Sequence, residues 1–304
     1  MKKLLLDVDT GIDDAIAIIL AAKKAEVVGI TTVNGNTSLD NATANTLKVL
    51  KLIGREDIPV VRGADRPLLR KTHFEVSVHG DDGIGGALRD MEPGSPEPGF
   101  GPDFIIEQAE KHKGELTLVL TAPLTNMALA IRKEPRLKDW VKEVVVMGGA
   151  VRTPGNITPT AEYNMYIDPE AAKAVLHAGL PLTLVGLDVS QETLLTESDI
   201  ERAQGNAEGR FVKESTAHYM KRFEELTGLR ACAMHDPLAV GVALDRSFVW
   251  TERLHVDVET SSTLCDGQTV CDFSNWTGKE PNVDVCLEAD SDRFIDFLVE
   301  TIKS

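Results

Sequence analysis

The sequence predicts an α/β protein with an open, mostly parallel sheet covered by helices on both faces. Three observations predict it. Short apolar runs alternate with helix-length amphipathic segments as far as residue 185. Those runs are apolar throughout, as parallel strands buried on both faces are. No linker, low-complexity tract or internal repeat interrupts the 304 residues, so residues 1–304 read as one domain.

The elements follow in order. Residues 4–8 form a buried strand, and 13–24 a helix with Ile16, Ile19 and Leu20 on one face. A strand at 27–33 precedes a helix at 39–53, closed by Gly54 where a helix commonly turns left-handed. A strand at 58–61 comes next. Residues 67–102 break the rhythm, carrying Gly80, Gly83, Gly85, Gly86, Gly94 and Gly101 with prolines near the end. Long irregular loops in compact domains are more often functional than accidental. The alternation resumes with a helix at 104–113 ending at Gly114, a strand at 116–120 and a helix at 124–133. A strand at 144–147, a helix at 169–178 and a strand at 182–185 complete it. Beyond Ser190 the pattern is helical, with 208–227 the longest segment. From Leu254 polar and apolar residues alternate as in strands, and a helix at 292–302 closes a C-terminal helical and small-strand region.

Apolar residues make up 42% and charged residues 26%, ordinary for a soluble globular chain. A net charge of −16 argues against a nucleic-acid backbone or an anionic membrane as the main partner. Asp7 and Asp9 cut the apolar run after Lys2-Lys3 short of a signal-peptide core of ~7–15 residues. No run approaches the ~20 residues of a membrane span. Cys232, Cys265, Cys271 and Cys286 form no CxxC pair, and as reduced thiols they suit the cytoplasm.

The chemistry concentrates where strands end, which in open parallel sheets is where ligands bind. Asp7, Asp9, Asp13 and Asp14 surround Gly11 after the first strand. Clustered buried carboxylates repel and are costly to desolvate, so they call for compensation, and oxygen-only ligands favour Ca²⁺ or Mg²⁺. Asp13 taken alone also suits a helix cap. Asn34, Gly35 and Asn36 follow the second strand and also read as turn residues. Thr121 ends the strand at 116–120, where its hydroxyl serves a turn or its carbonyl points into the crevice. Asn156, Glu162 and Asn164 share one loop, and amides with a carboxylate both donate to and accept from sugar hydroxyls. In Met234-His235-Asp236-Pro237, Asp236 reads equally as an N-cap with Pro237 at N1, and His235 titrates near neutrality.

With these residues on one chain, the sequence resembles the nucleoside hydrolases, in particular their inosine–uridine-preferring branch. The resemblance runs along nearly the whole length. It is carried by Asp7-Val8-Asp9-Thr10-Gly11-Ile12-Asp13-Asp14, Val33-Asn34-Gly35-Asn36 and the stretch from His79 to Gly86. Thr121-Ala122-Pro123-Leu124-Thr125-Asn126, residues 155–164 and His235-Asp236 follow in the family's order. The resemblance implies a Rossmann-like sheet, hydrolysis of the N-glycosidic bond of ribonucleosides, and a dimer or tetramer of identical chains. It implies one Ca²⁺ per chain held by Asp9, Asp14, Asp236 and the main-chain carbonyl of Thr121. It gives Asp9 as general base for a Ca-bound water, Asn36 beside that water, and His235 by the nucleobase as candidate proton donor. Ribose would be bound by Asp13, Asn156, Glu162, Asn164 and Asp236, with His79 near the base. Ala122 departs from a glycine common in relatives. The helix around His218, Tyr219 and Phe223 falls where relatives line the base pocket, and matches neither a purine nor a pyrimidine pattern.

Two other readings compete. The strand ending in Asp7-Val8-Asp9-Thr10 also matches the DxDxT motif of haloacid-dehalogenase-type phosphatases, with Asp7 as nucleophile and Asp9 as acid/base. That reading leaves Asp13-Asp14, residues 156–164 and His235-Asp236 without a role. The other is a non-catalytic, calcium-dependent nucleoside- or ribose-binding protein.

Overall fold

The computed structural model describes residues 1–74 and 80–304. A nine-stranded sheet forms its centre, in the order β10-β9-β11-β6-β5-β4-β1-β2-β3. Its first half comprises β1 (Lys3–Val8), β2 (Glu26–Thr32), β3 (Val60–Arg62), β4 (Leu116–Leu120), β5 (Glu143–Met147) and β6 (Leu182–Val185), all parallel. The second half adds β11 (Val283–Ala289) parallel to β6, then β9 (Val249–Val258) and β10 (Thr269–Asp272), each antiparallel to its neighbour. A separate antiparallel pair joins β7 (Leu194–Thr196) to β8 (Ala231–Ala233).

The alternation of side chains along β1 sorts the core into two layers. Leu4, Leu6 and Val8 pack with α1 (Ile12–Lys24), and Leu5 packs on the opposite face among residues that follow β3 in the chain. That opposite face carries α3 (Gly101–Lys111), α4 (Thr125–Lys133), α5 (Leu137–Trp140) and α7 (Pro169–Leu176). The α1 face carries α2 (Leu39–Leu52), α10 (Ala207–Thr227), α11 (His235–Leu244) and α12 (Ser291–Lys303). Short helices α6 (Tyr163–Ile167), α8 (Leu187–Ser190) and α9 (Glu197–Arg202) join them. The three leucines of β1 have no exposed surface, which is what an apolar run in a central parallel strand requires.

Several sequence expectations shift. Helix α3 begins at Gly101, not residue 104, because Pro102 sits in the first turn, where no amide donor is missed. The region after Ser190, expected to be helical, also holds the β7–β8 pair, whose three-residue strands are too short to show a period. Strand β9 starts at Val249, ahead of Leu254, and Trp250 to Arg253 are exposed there, so the apolar signal is weak. Among the described residues, no helix is long and apolar enough to cross a membrane.

The chain order runs outward one way from β1 to β3 and the other way from β4 to β6. The carboxyl ends of β1 and β4 therefore flank the switch point, where such sheets open a crevice. Asp7 pairs with Leu120 across it, and the Thr121 amide donates to the Asp7 carbonyl at 2.9 Å.

Candidate active site

Just beyond β1, Asp14 caps its own helix: its Oδ2 accepts from the Gly11 amide at 2.9 Å. Asp13 does not act as the cap, and its buried Oδ1 has no hydrogen-bond partner among the described residues. Nor does Asp236 cap α11. Met234 is the N-cap residue, Asp236 lies in the first turn, and its side chain makes no capping bond. Helices α1 and α11 pack together, so their first turns meet. Carboxylate oxygens of Asp13, Asp14 and Asp236 consequently lie within 4.8 Å of one another, all buried. Among the described residues this is the only such group of potential metal ligands.

Asp9 stands beside Asp14, beneath the loop after β2. The Asn36 backbone amide donates to its Oδ2 at 2.5 Å and the Asn36 side-chain amide to its Oδ1 at 3.2 Å. Gly35 permits this approach, since a Cβ there would stand 1.9 Å from Asp9 Oδ2. Burial, then the charge of Asp14, raises Asp9 well above the usual carboxylate range. Burial, then Asp13, does the same to Asp236, and burial with Asp14 pushes Asp13 up to about 7. Each shift has the same physical origin: negative charge held away from water and, among the described residues, without an ion pair to a cationic side chain. A bound cation reverses that preference, and an all-oxygen donor set with the unpartnered Asp13 Oδ1 fits a hard one.

Across the switch point, Thr121 joins β4 to the cluster. Its hydroxyl donates to Asp14 Oδ1 at 2.9 Å, and its carbonyl accepts from the Asn164 side chain at 3.0 Å. Asn164 also donates to the Met147 carbonyl at the end of β5, at 3.2 Å. Glu162 caps α6, accepting from the amides of Asn164, Met165 and Gly149. Three donors do not offset its burial, and its carboxyl is raised. Asn156 accepts from the Tyr163 amide at 3.0 Å. The Tyr163 hydroxyl donates to the Gly35 carbonyl at 2.7 Å, tying this loop to the one that covers Asp9.

One cavity of about 610 Å³ collects these groups. Asp13, Asn36, Thr121, Asn156, Glu162, Asn164, His235 and Asp236 all line it. Asp9 and Asp14 do not line it; they lie fully buried, reaching the lining through Asn36 and Thr121. The volume suits a small polar ligand. His79 falls outside the described residues. His235 has its Nδ1 2.8 Å from Ser190 Oγ, and burial pushes its imidazole down to about 4.

Asp7 turns to the other face of β1. Its Oδ1 accepts from Thr31 Oγ1 at 2.6 Å and Asn126 Nδ2 at 2.8 Å, and it has no exposed surface. Tied to Thr31 and Asn126, Asp7 lines neither the cavity nor the carboxylate cluster, which leaves the phosphatase reading without a nucleophile.

The helix around Tyr219 and Phe223, which the resemblance implies at the base pocket, does line the cavity, and sequence reasoning missed Arg222, Thr227 and Gln191. Tyr219, Arg222, Phe223 and Thr227 of α10 form one wall, with Tyr219 and Phe223 edge to face at 6.3 Å. Their spacing of three, four and eight is a helical stripe, and this signal was present in the sequence. Gln191 also lines the cavity and carried no signal.

Residues 4–296 match the family described as inosine-uridine preferring nucleoside hydrolase. The chain belongs to that family. Nucleoside hydrolases act on N-glycosyl compounds, so the chain is an enzyme of that class. It is 37% identical over 308 residues to the inosine-uridine preferring nucleoside hydrolase of Crithidia fasciculata, covering 99% of this chain and 98% of the relative. Over 311 residues it is 37% identical to a pyrimidine-specific ribonucleoside hydrolase of Salmonella arizonae, again covering 99% and 98%. Among solved structures, a plant nucleoside hydrolase superposes with a TM-score of 0.95 at 32% identity, covering 100% and 99% of the two chains. A purine-preferring ribonucleoside hydrolase from Gardnerella vaginalis gives 0.92 at 33%, covering 99% and 98%.

Proposed function

We propose that the chain hydrolyses the N-glycosidic bond of ribonucleosides, releasing ribose and free nucleobase. The observation that carries this reading is the single cavity in which the carboxylate cluster faces Asn156, Glu162 and Asn164. Ribose lies over the carboxylates, and the base points toward the α10 wall. Asp13, Asn156, Glu162, Asn164 and Asp236 take the ribose hydroxyls, offering acceptors and amide donors in one shell.

Asp9 receives the proton of the attacking water. Asn36 fixes that carboxylate from two sides and reaches the cavity itself, so it sets the line of attack. As the C1′–N bond breaks, positive charge develops on the sugar, and the surrounding carboxylates stabilise it. His235 supplies an N–H to the departing base, where negative charge accumulates.

One Ca²⁺ held by Asp9, Asp14, Asp236 and the Thr121 carbonyl would supply fixed positive charge and oxygen-coordinating positions for water and the ribose diol. The same reading places a homodimer or homotetramer in the cytoplasm, where its four unpaired cysteines stay reduced.

The relatives differ in the bases their names specify, so the test spans both classes. Inosine, adenosine, guanosine, uridine and cytidine are incubated with the protein, with and without a chelator, and free ribose is assayed. Ribose from at least one nucleoside, lost on chelation and restored by Ca²⁺, is expected. No ribose from any of the five would overturn the reading, a calcium-dependent binding protein included among the explanations then left.

A further inference from the structure

We propose that Ser190 is a positioning residue for this reaction: its hydroxyl commits His235 Nδ1 and leaves the Nε2–H as the group that meets the departing base. The proposal rests on the reading of His235 as the residue at the leaving group.

Ser190 is the last residue of α8 and has no exposed surface. Among the described residues its hydroxyl has one hydrogen-bond partner, His235 Nδ1, at 2.8 Å. A buried hydroxyl proton without an acceptor is costly, so the Ser190 proton points at Nδ1 and Nδ1 accepts it. With Nδ1 accepting the Ser190 proton, the ring's own N–H sits on Nε2. The ring lines the cavity, and Nε2 is the nitrogen left for a ligand. Ring nitrogens and carbonyl oxygens of a nucleobase are acceptors, so an Nε2–H attracts them where a bare lone pair would repel them. Negative charge grows on those atoms as the glycosidic electron pair moves to the base. The bond therefore strengthens in the transition state.

The contact is built into the fold. Strands β7 and β8 pair from Leu194↔Ala233 to Thr196↔Ala231. The Met234 amide extends that ladder by donating to the Thr193 carbonyl at 2.9 Å. This fixes the residue before His235 against the residue three after Ser190. Thr193 Oγ1 bonds back to the Val189 carbonyl at 2.9 Å, and the Ser190 amide donates to the Gly186 carbonyl at 3.1 Å. The serine and the ring are thus held from both sides by backbone. The next residue, Gln191, already lines the cavity.

The test compares substrates whose leaving groups differ. Ser190→Ala is expected to lower kcat on inosine and uridine about tenfold, the cost of one well-placed hydrogen bond, with nitrophenyl riboside turnover within about twofold of the parent. A merely structural role would lower both alike. Equal losses on both substrates, or no loss on either, would overturn the proposal. His235→Ala is run beside it. A leaving-group split in His235→Ala with none in Ser190→Ala removes only the role of Ser190. No split in either variant removes the reading of His235 as well. If Ser190→Ala does not fold, ¹⁵N spectra of histidine-labelled parent protein decide. A His235 ring protonated at Nε2 and bare at Nδ1 is expected, and the opposite tautomer overturns the proposal.

Discussion

Asn36 clasps Asp9 twice, with its backbone amide on one carboxylate oxygen and its side-chain amide on the other. The two bonds differ in what a substitution removes. Asn36→Ala deletes the side-chain bond to Asp9 and a longer one to Asp14, leaving Asp9 free to turn about the backbone contact. We expect kcat to fall about tenfold or more with a smaller change in KM, because the carboxylate is misplaced while the ribose contacts remain. Asp9→Ala removes the base and one Ca²⁺ ligand, so it is assayed in saturating Ca²⁺; there kcat should fall by about 10²–10⁴, far more than nucleoside binding, measured by calorimetry, weakens. Near-normal kcat in Asp9→Ala would refute its assignment as base.

Gly35 offers a second test of the same loop. A Cβ there would stand 1.9 Å from Asp9 Oδ2 and 2.8 Å from Pro123 Cδ. Gly35→Ala therefore pushes the β2 loop away from β1. A loss of about 1–3 kcal/mol in stability is expected, with kcat falling as the Asn36–Asp9 contacts lengthen. Gly54→Ala is the control. Its φ of 64° is strained for alanine, but nothing lies within 4 Å of the new Cβ. It should cost about 1 kcal/mol and leave kcat unchanged. Melting curves and steady-state kinetics on the two variants distinguish local strain from displacement of the base.

The strands and helices of the first half were legible because each obeys a local rule. The apolar run at Leu4-Leu5-Leu6 is buried on both faces, and Gly54 and Gly114 turn left-handed where helices stop. The ligand groups were legible because carboxylates and amides at strand ends are costly without a purpose. What stayed hidden depends on contacts distant in sequence. That Asp13, Asp14 and Asp236 converge is decided by how α1 packs on α11, not by either motif alone. The Thr121 carbonyl finds the Asn164 amide 43 positions away, and Ser190 finds His235 through a strand pair three residues long. Each of those pairings is set by topology, which no local pattern records.

Chelation should expose the cost of the carboxylate cluster. Without a cation, Asp9, Asp13, Asp14 and Asp236 repel one another in a buried site, so a chelator should lower the melting temperature. Calcium should restore it in a concentration-dependent way, by about 2.7 kcal/mol at a hundredfold excess over Kd. Magnesium, smaller and stricter in geometry, should restore less. A melting temperature indifferent to chelator and to calcium would remove the metal from the reading.

Asp7 separates the hydrolase from the phosphatase and carries its own pH signature. Burial pushes its carboxyl up to about 7, against the pull of Thr31 and Asn126. The folded protein therefore holds this proton more tightly than the unfolded chain does. For a group raised on folding, the stabilisation is fully present below the unfolded value near 4. It is lost as pH rises toward 7 and changes no further above that. The loss is at most about 4 kcal/mol. Asp7→Asn copies the neutral acid: its carbonyl can accept from Thr31 and Asn126, and its amide takes the place of the unpartnered Oδ2. In chelator, the variant should show a shallower decline in stability between pH 4 and 7 than the parent, read from denaturant unfolding at several pH values. Its ribose release should stay within about tenfold of the parent, since Asp7 touches neither cavity nor cluster. Identical pH profiles for the two proteins would show that Asp7 is ionised in the fold, and loss of all activity in a folded Asp7→Asn would return this residue to the chemistry.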